Sequence, residues 1–198
     1  MPRKHLRNGG IVMDPIIVLH CFAPLERPED QVETRLFLDK LRNERTVKIV
    51  DIPCHTRTDY SDAWFSYWDY PGTLVNLEHD IVPDLAAFDN LVKCDSELCT
   101  QAYKIYPLST ALKKEVFVQR TAKTVSVSYD GWISEGQGYS DFTGLGFVKI
   151  EHHIRTTVNP KLYCNRDWAG FDFTLSNLFH MRGYRWHVHW PAIRHNHF

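Results

Sequence analysis

Short apolar runs alternate with polar segments along the chain, and this pattern predicts strands separated by helices. The stretch IIVLHCF, residues 16–22, is almost continuously apolar, which is typical of a strand buried on both faces. Residues 28–42 have an acidic first turn and a basic last turn, which predicts a helix. Its apolar positions give a predicted core face: Val32, Leu36, Leu38 and Leu41. TVKIVDIP, residues 46–53, is a second strand, so the chain opens with a β-α-β unit of a parallel sheet.

The same reasoning predicts the rest of an α/β domain with a mostly parallel central sheet flanked by helices. A pair of β-rich pieces within residues 113–141, with a turn at Asp130-Gly131, predicts a small inserted antiparallel ribbon. The remaining predicted elements are strands at 74–81, 98–107, 144–150 and 184–191, a helix after Pro83, and a helix at 167–183 closed by a glycine.

The length of 198 residues is that of one domain. We expect a loose arm at residues 1–14 and a single domain at 15–198, with one half at about 15–107 and the other at about 108–198. With 43% hydrophobic residues the chain is typical of a soluble globular protein, and no apolar run approaches the ~18 residues of a membrane span. We therefore expect a cytoplasmic protein.

Charge and cysteine content bear on whether the chain binds nucleic acid, forms disulfides or holds a zinc knuckle. The 23 Lys and Arg nearly balance the 24 Asp and Glu, so there is no strong nucleic-acid signal. The number of cysteines is odd, at five, and the chain is long enough to fold without disulfides, which favours free thiols. No CxxC pair is present, so the sequence does not support a structural zinc knuckle.

Two acids end the strand that begins at residue 74. In a strand, Glu78 and Asp80 project to the same side while His79 points away. Ligands of parallel α/β folds bind outside the carboxyl ends of the strands, and two carboxylates there can hold a hard divalent cation that also takes phosphate oxygens. The alternative is a solvated acidic turn in which Asp80 or Asp84 caps the next helix.

Two further carboxylates and the aromatic segment have open interpretations. Asp51, which ends TVKIVD, could accept hydrogen bonds from a ribose or a base, or cap a turn. Asp172, near a helix start, could act as a general base or interact only with the helix dipole. The aromatic residues of DYSDAWFSYWDY, residues 59–70, could stack on a sugar or a base, or pack within the protein.

Histidine is concentrated at the end of the chain, where five of the 11 His lie at position 180 or later. His187 and His189 share one side of a predicted strand, and His195 and His197 repeat the spacing. Imidazole is a common ligand of divalent metals, so one of these residues could complete a metal site. The alternative for each is core packing or a surface position.

The β-α-β start, the strand ending in Asp51, the acids Glu78 and Asp80, the helix with Asp172 and the closing His follow one another along the chain. This order resembles the GT-A fold of nucleotide-sugar glycosyltransferases, nearest to the family 2 group and to compact members encoded by viruses and phages. The resemblance implies that Asp51 contacts uracil and that Glu78 and Asp80 form a DXD-like motif, with Glu78 in place of the usual first Asp. It implies that residues of about 15–107 form the nucleotide-sugar-binding half and those of about 108–198 the acceptor half. The implied cofactor is manganese or magnesium, and His195 or His197 would complete its binding site. It also implies that Asp172 is the general base of an inverting reaction, although Phe171 replaces the usual first acid of the motif.

The expected function is therefore transfer of a sugar from a nucleoside-diphosphate sugar to an acceptor hydroxyl on a glycan, protein, lipid or modified base. A viral member would act in the host cytoplasm. Two alternatives remain from the sequence. One is a metal-dependent hydrolase or nuclease that uses the His-rich C-terminus, and the other is a non-enzymatic carbohydrate-binding or virion-associated module.

Overall fold

The computed structural model describes residues 15–24, 28–105, 116–117, 138–141 and 143–195. The strands are β1 Ile16–Phe22, β2 Lys48–Pro53, β3 Thr73–Glu78, β4 Ile81–Val82, β5 Leu98–Ile105, β6 Val116–Phe117, β7 Tyr139–Ser140, β8 Phe147–Ile150 and β9 Trp186–His195. The helices are α1 Val32–Glu44, α2 Asp59–Tyr67, α3 Leu85–Lys93, α4 His152–Arg155, α5 Pro160–Tyr163 and α6 Trp168–His180. None of these described helices combines the length and hydrophobicity needed to cross a bilayer.

The strands form one mixed sheet in the order β2-β1-β3-β8-β5-β9-β4. β1 pairs in parallel with both β2 and β3, as the β-α-β pattern predicts, and β5 pairs in parallel with β9. β8 is antiparallel to both β3 and β5. The predicted α/β class is confirmed, and the sheet contains more antiparallel pairing than the sequence predicts.

Two predicted segments fall largely beyond the described residues. The arm at 1–14 and the turn at Asp130-Gly131 lie outside them. Of the predicted ribbon at 113–141, the described parts are β6, which pairs antiparallel with β5, and β7, which pairs antiparallel with β9.

Alternating side chains of the central strands supply two cores, one on each face of the sheet. Ile17, Leu19 and Cys21 of β1 pack with α2 and α6. Val18 packs on the other face with α1 and α3. A strand enclosed on both faces is mostly apolar on both sides, which explains why His20 is the one polar side chain of β1 and why β1 shows no regular polar alternation.

The aromatic segment lies mainly in the first of these cores. Trp64 is fully buried and Trp68 nearly so, and the Trp68 ring stacks on Phe179 of α6 with centroids 6.1 Å apart. The Trp68 indole also donates a hydrogen bond to the carbonyl of Arg155, at 3.0 Å. For these Trp residues the packing alternative therefore holds, because the rings face the core and not solvent.

The predicted core face of α1 is wrong at two positions. Val32 is 50% exposed and Leu36 is 63% exposed. The buried stripe recurs at helical i, i+3, i+4 and i+7 spacing: Thr34, Phe37, Leu38 and Leu41. Thr34 belongs to this stripe because its hydroxyl donates to the Ile81 carbonyl at 2.8 Å, which satisfies the polar group.

An ion pair joins the end of α1 to α3. The Arg45 guanidinium donates through two nitrogens to both oxygens of Asp89, at 2.9 and 3.0 Å. Lys93, one turn further along α3, contacts the same carboxylate at 2.9 Å. The Arg45 hydrogen bonds, followed by those from Lys93, lower the pKa of Asp89 from 3.8 to about 2.

We expect Asp89→Asn to lower the free energy of unfolding by about 1–2 kcal/mol at neutral pH. A carboxyl group with a lowered folded-state pKa stabilises the fold above its unfolded pKa and loses that contribution as the pH falls through the folded value. The difference between variant and wild type should therefore shrink as the pH falls from 3.8 towards 2. Urea unfolding at a series of pH values measures it.

The matched control is Asp39→Asn, since Asp39 is 67% exposed in its contact with Arg42. It should change stability by less than about 0.5 kcal/mol. An Asp89→Asn effect of the same size at every pH would contradict the assignment.

Candidate functional site

Three carboxylates converge at the carboxyl end of β3. Glu78 is the last residue of β3, Asp80 follows in the turn to β4, and Asp172 lies in α6. The negative charges of Asp172 and Asp80 both raise the pKa of Glu78, so both of these acids lie within electrostatic range of Glu78. The fold thus brings together three of the four acids that were predicted as site residues from the sequence.

Hydrogen bonds fix the surroundings of Glu78. Asn76, two residues earlier on the same side of β3, is fully buried. Its amide nitrogen donates to the Tyr60 hydroxyl at 3.1 Å and to the Leu145 carbonyl at 2.7 Å. The Tyr60 hydroxyl in turn hydrogen-bonds to Glu78. The Glu78 carboxylate is therefore held by Tyr60 of α2, while the Glu78 backbone N–H donates to the Gly146 carbonyl, at 2.9 Å, in the segment before β8.

Asp172 is held by a backbone contact from that same segment. The Leu145 N–H donates to Oδ2 of Asp172 at 3.2 Å. The neighbouring Phe171 is fully buried and packs edge-on against the Tyr60 ring, with centroids 5.9 Å apart. Helix α6 is therefore fixed against α2, and its carboxylate is directed to the loop that precedes β8.

Burial and like charge make this site costly to ionise. Burial, and then the charges of Asp172 and Asp80, raise the pKa of Glu78 well above its usual value. Burial also raises the pKa of Asp172 to about 7, and the Leu145 N–H opposes this rise. Because the groups interact, their protons belong to the cluster and not to single residues.

The turn after β3 separates the roles of its acids. Asp84, at the N-cap of α3, accepts a hydrogen bond from the Ala87 N–H at 2.7 Å. Asp84 therefore caps this helix, and the capping alternative does not apply to Asp80. Asp80 is 3% exposed and lies beside Glu78.

Asp51 lies apart from these acids. Its Oδ1 contacts Nδ1 of His20 at 2.8 Å, and its Oδ2 accepts from Arg42 of α1 at 2.8 Å. The carboxylate is about half exposed, whereas His20 is buried. Since His20 shares the α1 side of β1 with Val18, Asp51 is directed to that side, and its contact with a nucleotide remains a prediction.

The histidines of the C-terminal segment separate into two groups. His195 lies on β9 opposite Ile81 of β4, and Ile81 is the residue that follows Asp80 in the chain. His197 lies outside the described residues. His187 and His189, at the start of β9, lie with Cys94 and Cys99. That His195 or His197 contributes to the carboxylate site stays a prediction. His187 and His189 belong to a different cluster.

Tyr60 and Asn76 are site residues that were not predicted from the sequence. Asn76 interrupts an otherwise apolar buried strand, and a polar residue in such a run is a signal that a specific hydrogen-bonding partner exists. Tyr60 gave no comparable signal, because nothing in its segment distinguishes it from the aromatic residues that only pack.

The donor set suits a hard divalent cation. Carboxylate oxygens are the ligands that magnesium and manganese prefer, and Glu78 and Asp80 provide them at the end of one strand. A bound cation would offset the repulsion that raises the pKa of Glu78.

Comparisons with known proteins support the fold alone. No protein-family model matches the chain, and no curated protein sequence matches it. Among solved structures, the chain is similar to A197 from STIV, with a TM-score of 0.53 and 16% sequence identity. The match covers 89% of this chain and 82% of A197, so the likeness extends over most of both chains.

We expect Glu78→Gln to raise the melting temperature of the metal-free protein by about 3–6 °C at pH 8. Glutamine keeps an acceptor for Tyr60 and removes the repulsion with the other acids. A carboxyl group whose folded-state pKa is raised destabilises the fold above its unfolded pKa, so the gain should shrink as the pH falls towards 4.5.

Differential scanning calorimetry in the presence of a chelator measures this effect. The matched control is Glu44→Gln, because Glu44 is 46% exposed at the end of α1. A melting temperature of Glu78→Gln equal to or below that of wild type at pH 8 would show that the carboxylates do not repel one another.

Proposed function

We propose that this chain is a metal-dependent glycosyltransferase of the GT-A type, which transfers a sugar from a nucleoside-diphosphate sugar to an acceptor hydroxyl with inversion. The convergence of Glu78, Asp80 and Asp172 at the carboxyl end of β3 carries the proposal. The strand-end position is where α/β folds bind ligands, and the acids come from two separate segments of the chain.

On the donor side, Glu78 and Asp80 would hold manganese or magnesium. When bound, the cation supplies positive charge to the diphosphate leaving group. Tyr60 and Asn76 keep the Glu78 carboxylate in place, which lowers the reorganisation needed when the donor binds. His195, whose backbone runs beside Ile81, is the proposed additional ligand, with His197 as the second candidate.

The proposed contact for the donor nucleotide is Asp51. Its half-exposed carboxylate is held in position by His20 and Arg42, and it can accept hydrogen bonds from a base or a ribose. Burial lowers the pKa of His20, so the neutral imidazole holds Asp51 through a hydrogen bond more than through charge.

On the acceptor side, Asp172 would take the proton of the attacking hydroxyl. The acceptor oxygen forms a bond to the anomeric carbon as the bond from that carbon to the diphosphate oxygen breaks on the opposite face, which inverts the centre. The Leu145 N–H holds the carboxylate through Oδ2. A base with a pKa near the working pH is suited to this transfer, and burial moves the pKa of Asp172 in that direction.

Donor binding is measured by thermal melting with a panel of UDP-, GDP- and dTDP-sugars, with and without manganese. We expect one nucleotide to raise the melting temperature only when metal is present. Asp80→Asn should abolish that shift, because it removes a charged oxygen ligand from a buried position. The matched control, Asp167→Asn at the start of α6, should retain the shift, since Asp167 is 40% exposed and contacts Arg57.

Equal metal-dependent shifts in wild type and Asp80→Asn would remove Asp80 from the donor site. No shift with any donor, together with metal-dependent cleavage of a phosphodiester, would favour the hydrolase alternative.

We expect Asp172→Asn to bind the donor as wild type does but to lower the transfer rate by about 10²–10⁴-fold. Asparagine still accepts the Leu145 N–H and cannot take a proton at neutral pH. The measurement is sugar transfer to an acceptor panel, with donor affinity determined in parallel. Asp167→Asn is again the control, and transfer by Asp172→Asn at the wild-type rate would exclude its role as base.

A further inference from the structure

We propose that Cys94, Cys99, His187 and His189 form a structural zinc site. One potential ligand atom from each residue is available, and these four atoms all lie within 4.8 Å of one another. Two thiolates and two imidazoles are the donor set that selects zinc over magnesium, manganese or calcium. This set is chemically distinct from the carboxylates of the proposed transferase site.

Three elements bring these ligands together. Cys94 is the C-cap of α3, and Cys99 is the second residue of β5. His187 and His189 alternate on β9, so both project to the same side. In the parallel pairing of β5 with β9, Cys99 lies directly opposite His187.

The spacing of the ligand atoms is close to that of a tetrahedral site. Sγ of Cys94 lies 3.3 Å from Nδ1 of His187. Around zinc, with Zn–S of about 2.3 Å and Zn–N of about 2.0 Å, neighbouring ligand atoms are about 3.3–3.8 Å apart. The cluster therefore needs a contraction of at most about 1–1.5 Å at its widest separation to close around the ion.

Each of the two imidazoles has a ring nitrogen that is available to bind a metal. A β-carbon at Gly138 would lie 3.4 Å from Nε2 of His187, so that edge of the ring faces Gly138 while Nδ1 faces Cys94. The Tyr139 ring covers His187, with centroids 5.2 Å apart. Nε2 of His189 is buried and has no hydrogen-bond partner among the described residues. A bond to a metal is one of the few ways to satisfy such an atom.

The charges of the site balance when zinc binds. The two thiols release their protons to solvent, and two thiolates, two neutral imidazoles and Zn²⁺ give a neutral cluster. Next to the cluster, the Lys149 ammonium donates to the Cys94 carbonyl and pairs with Glu151, which limits its repulsion of the cation.

Hydrogen bonds around the sulfur atoms fit the same interpretation. The Ser96 N–H points at Sγ of Cys94 at 3.4 Å, as donors to ligating thiolates do. The Cys99 thiol donates to the Ser96 carbonyl at 3.3 Å, and this is the proton that zinc would displace. With four protein ligands the site is closed, so its role is to hold β9 against β5 and α3 and not to activate a water molecule.

The test begins with the zinc content of the 198-residue chain. The protein is expressed in zinc-supplemented medium and purified with a reductant, and its zinc is measured by inductively coupled plasma mass spectrometry. We expect one zinc per chain in wild type and loss of that zinc in Cys94→Ser and Cys99→Ser. Matched controls are Cys164→Ser and His153→Gln, which alter a cysteine and an exposed histidine outside the cluster. Both controls should retain zinc.

A second measurement does not depend on whether the variants fold. Removal of zinc from wild type with a chelator should lower the melting temperature by about 5–10 °C, and added zinc should restore it. Cobalt(II) added to the metal-free chain should give the visible bands of a tetrahedral site and a thiolate charge-transfer band.

The proposal is overturned if wild type contains no zinc and metal-free wild type gives no tetrahedral cobalt spectrum. A Cys94–Cys99 disulfide in the freshly purified chain, identified by peptide mass spectrometry, would also overturn it. None of these measurements uses sugar transfer, so the outcome is independent of the proposed transferase activity.

Discussion

The burial of β3 on both faces is the constraint on which the rest of the molecule depends. From Thr73 to Leu77 every residue of the strand is buried, so its one interior amide, Asn76, must find its hydrogen-bond partners inside the protein. It finds them in the Tyr60 hydroxyl and the Leu145 carbonyl. These two contacts fix α2 and the segment before β8 around the end of the strand. Glu78, where the buried strand ends, therefore emerges into surroundings that are already ordered.

The sequence pattern was sufficient where the structure depends on local periodicity. The apolar run of β1, the position of Glu78 at a strand end and the glycine that follows α6 are properties of single segments. Gly183 has a φ of +84°, which glycine adopts without steric cost. The core face of α1 could not be chosen from hydrophobicity alone, because Leu36 is apolar and exposed whereas Thr34 is polar and buried.

Features that depend on pairing between distant strands were not predictable. The proximity of Asp172 to Glu78 follows from the packing of α6 against α2, and the sequence alone could only suggest it through resemblance. The Cys and His cluster requires β5 and β9 to be neighbours in a sheet whose order is not that of the chain. Cys94 and Cys99 have a C-x4-C spacing that zinc sites use, but one residue between His187 and His189 is not the usual histidine spacing, so only the fold brings the four ligands together.

The two proposed metal sites lie on opposite faces of the sheet, and β9 links them. Cys99 belongs to the core beneath α1 and α3, whereas Tyr60, the partner of Glu78, belongs to the core beneath α2 and α6. Oxygen ligands bind magnesium or manganese, which exchange readily, and thiolates with imidazoles retain zinc, so the two sites would not compete for one ion. β9 carries His187 near its start and His195 at its end. His195 lies opposite Ile81, the residue that follows Asp80 in the chain. The register between β5 and β9 shifts between Gln101 and Tyr103, so a zinc ion would hold the start of β9 against β5, while pairing with β4 positions the backbone of His195 at the other end.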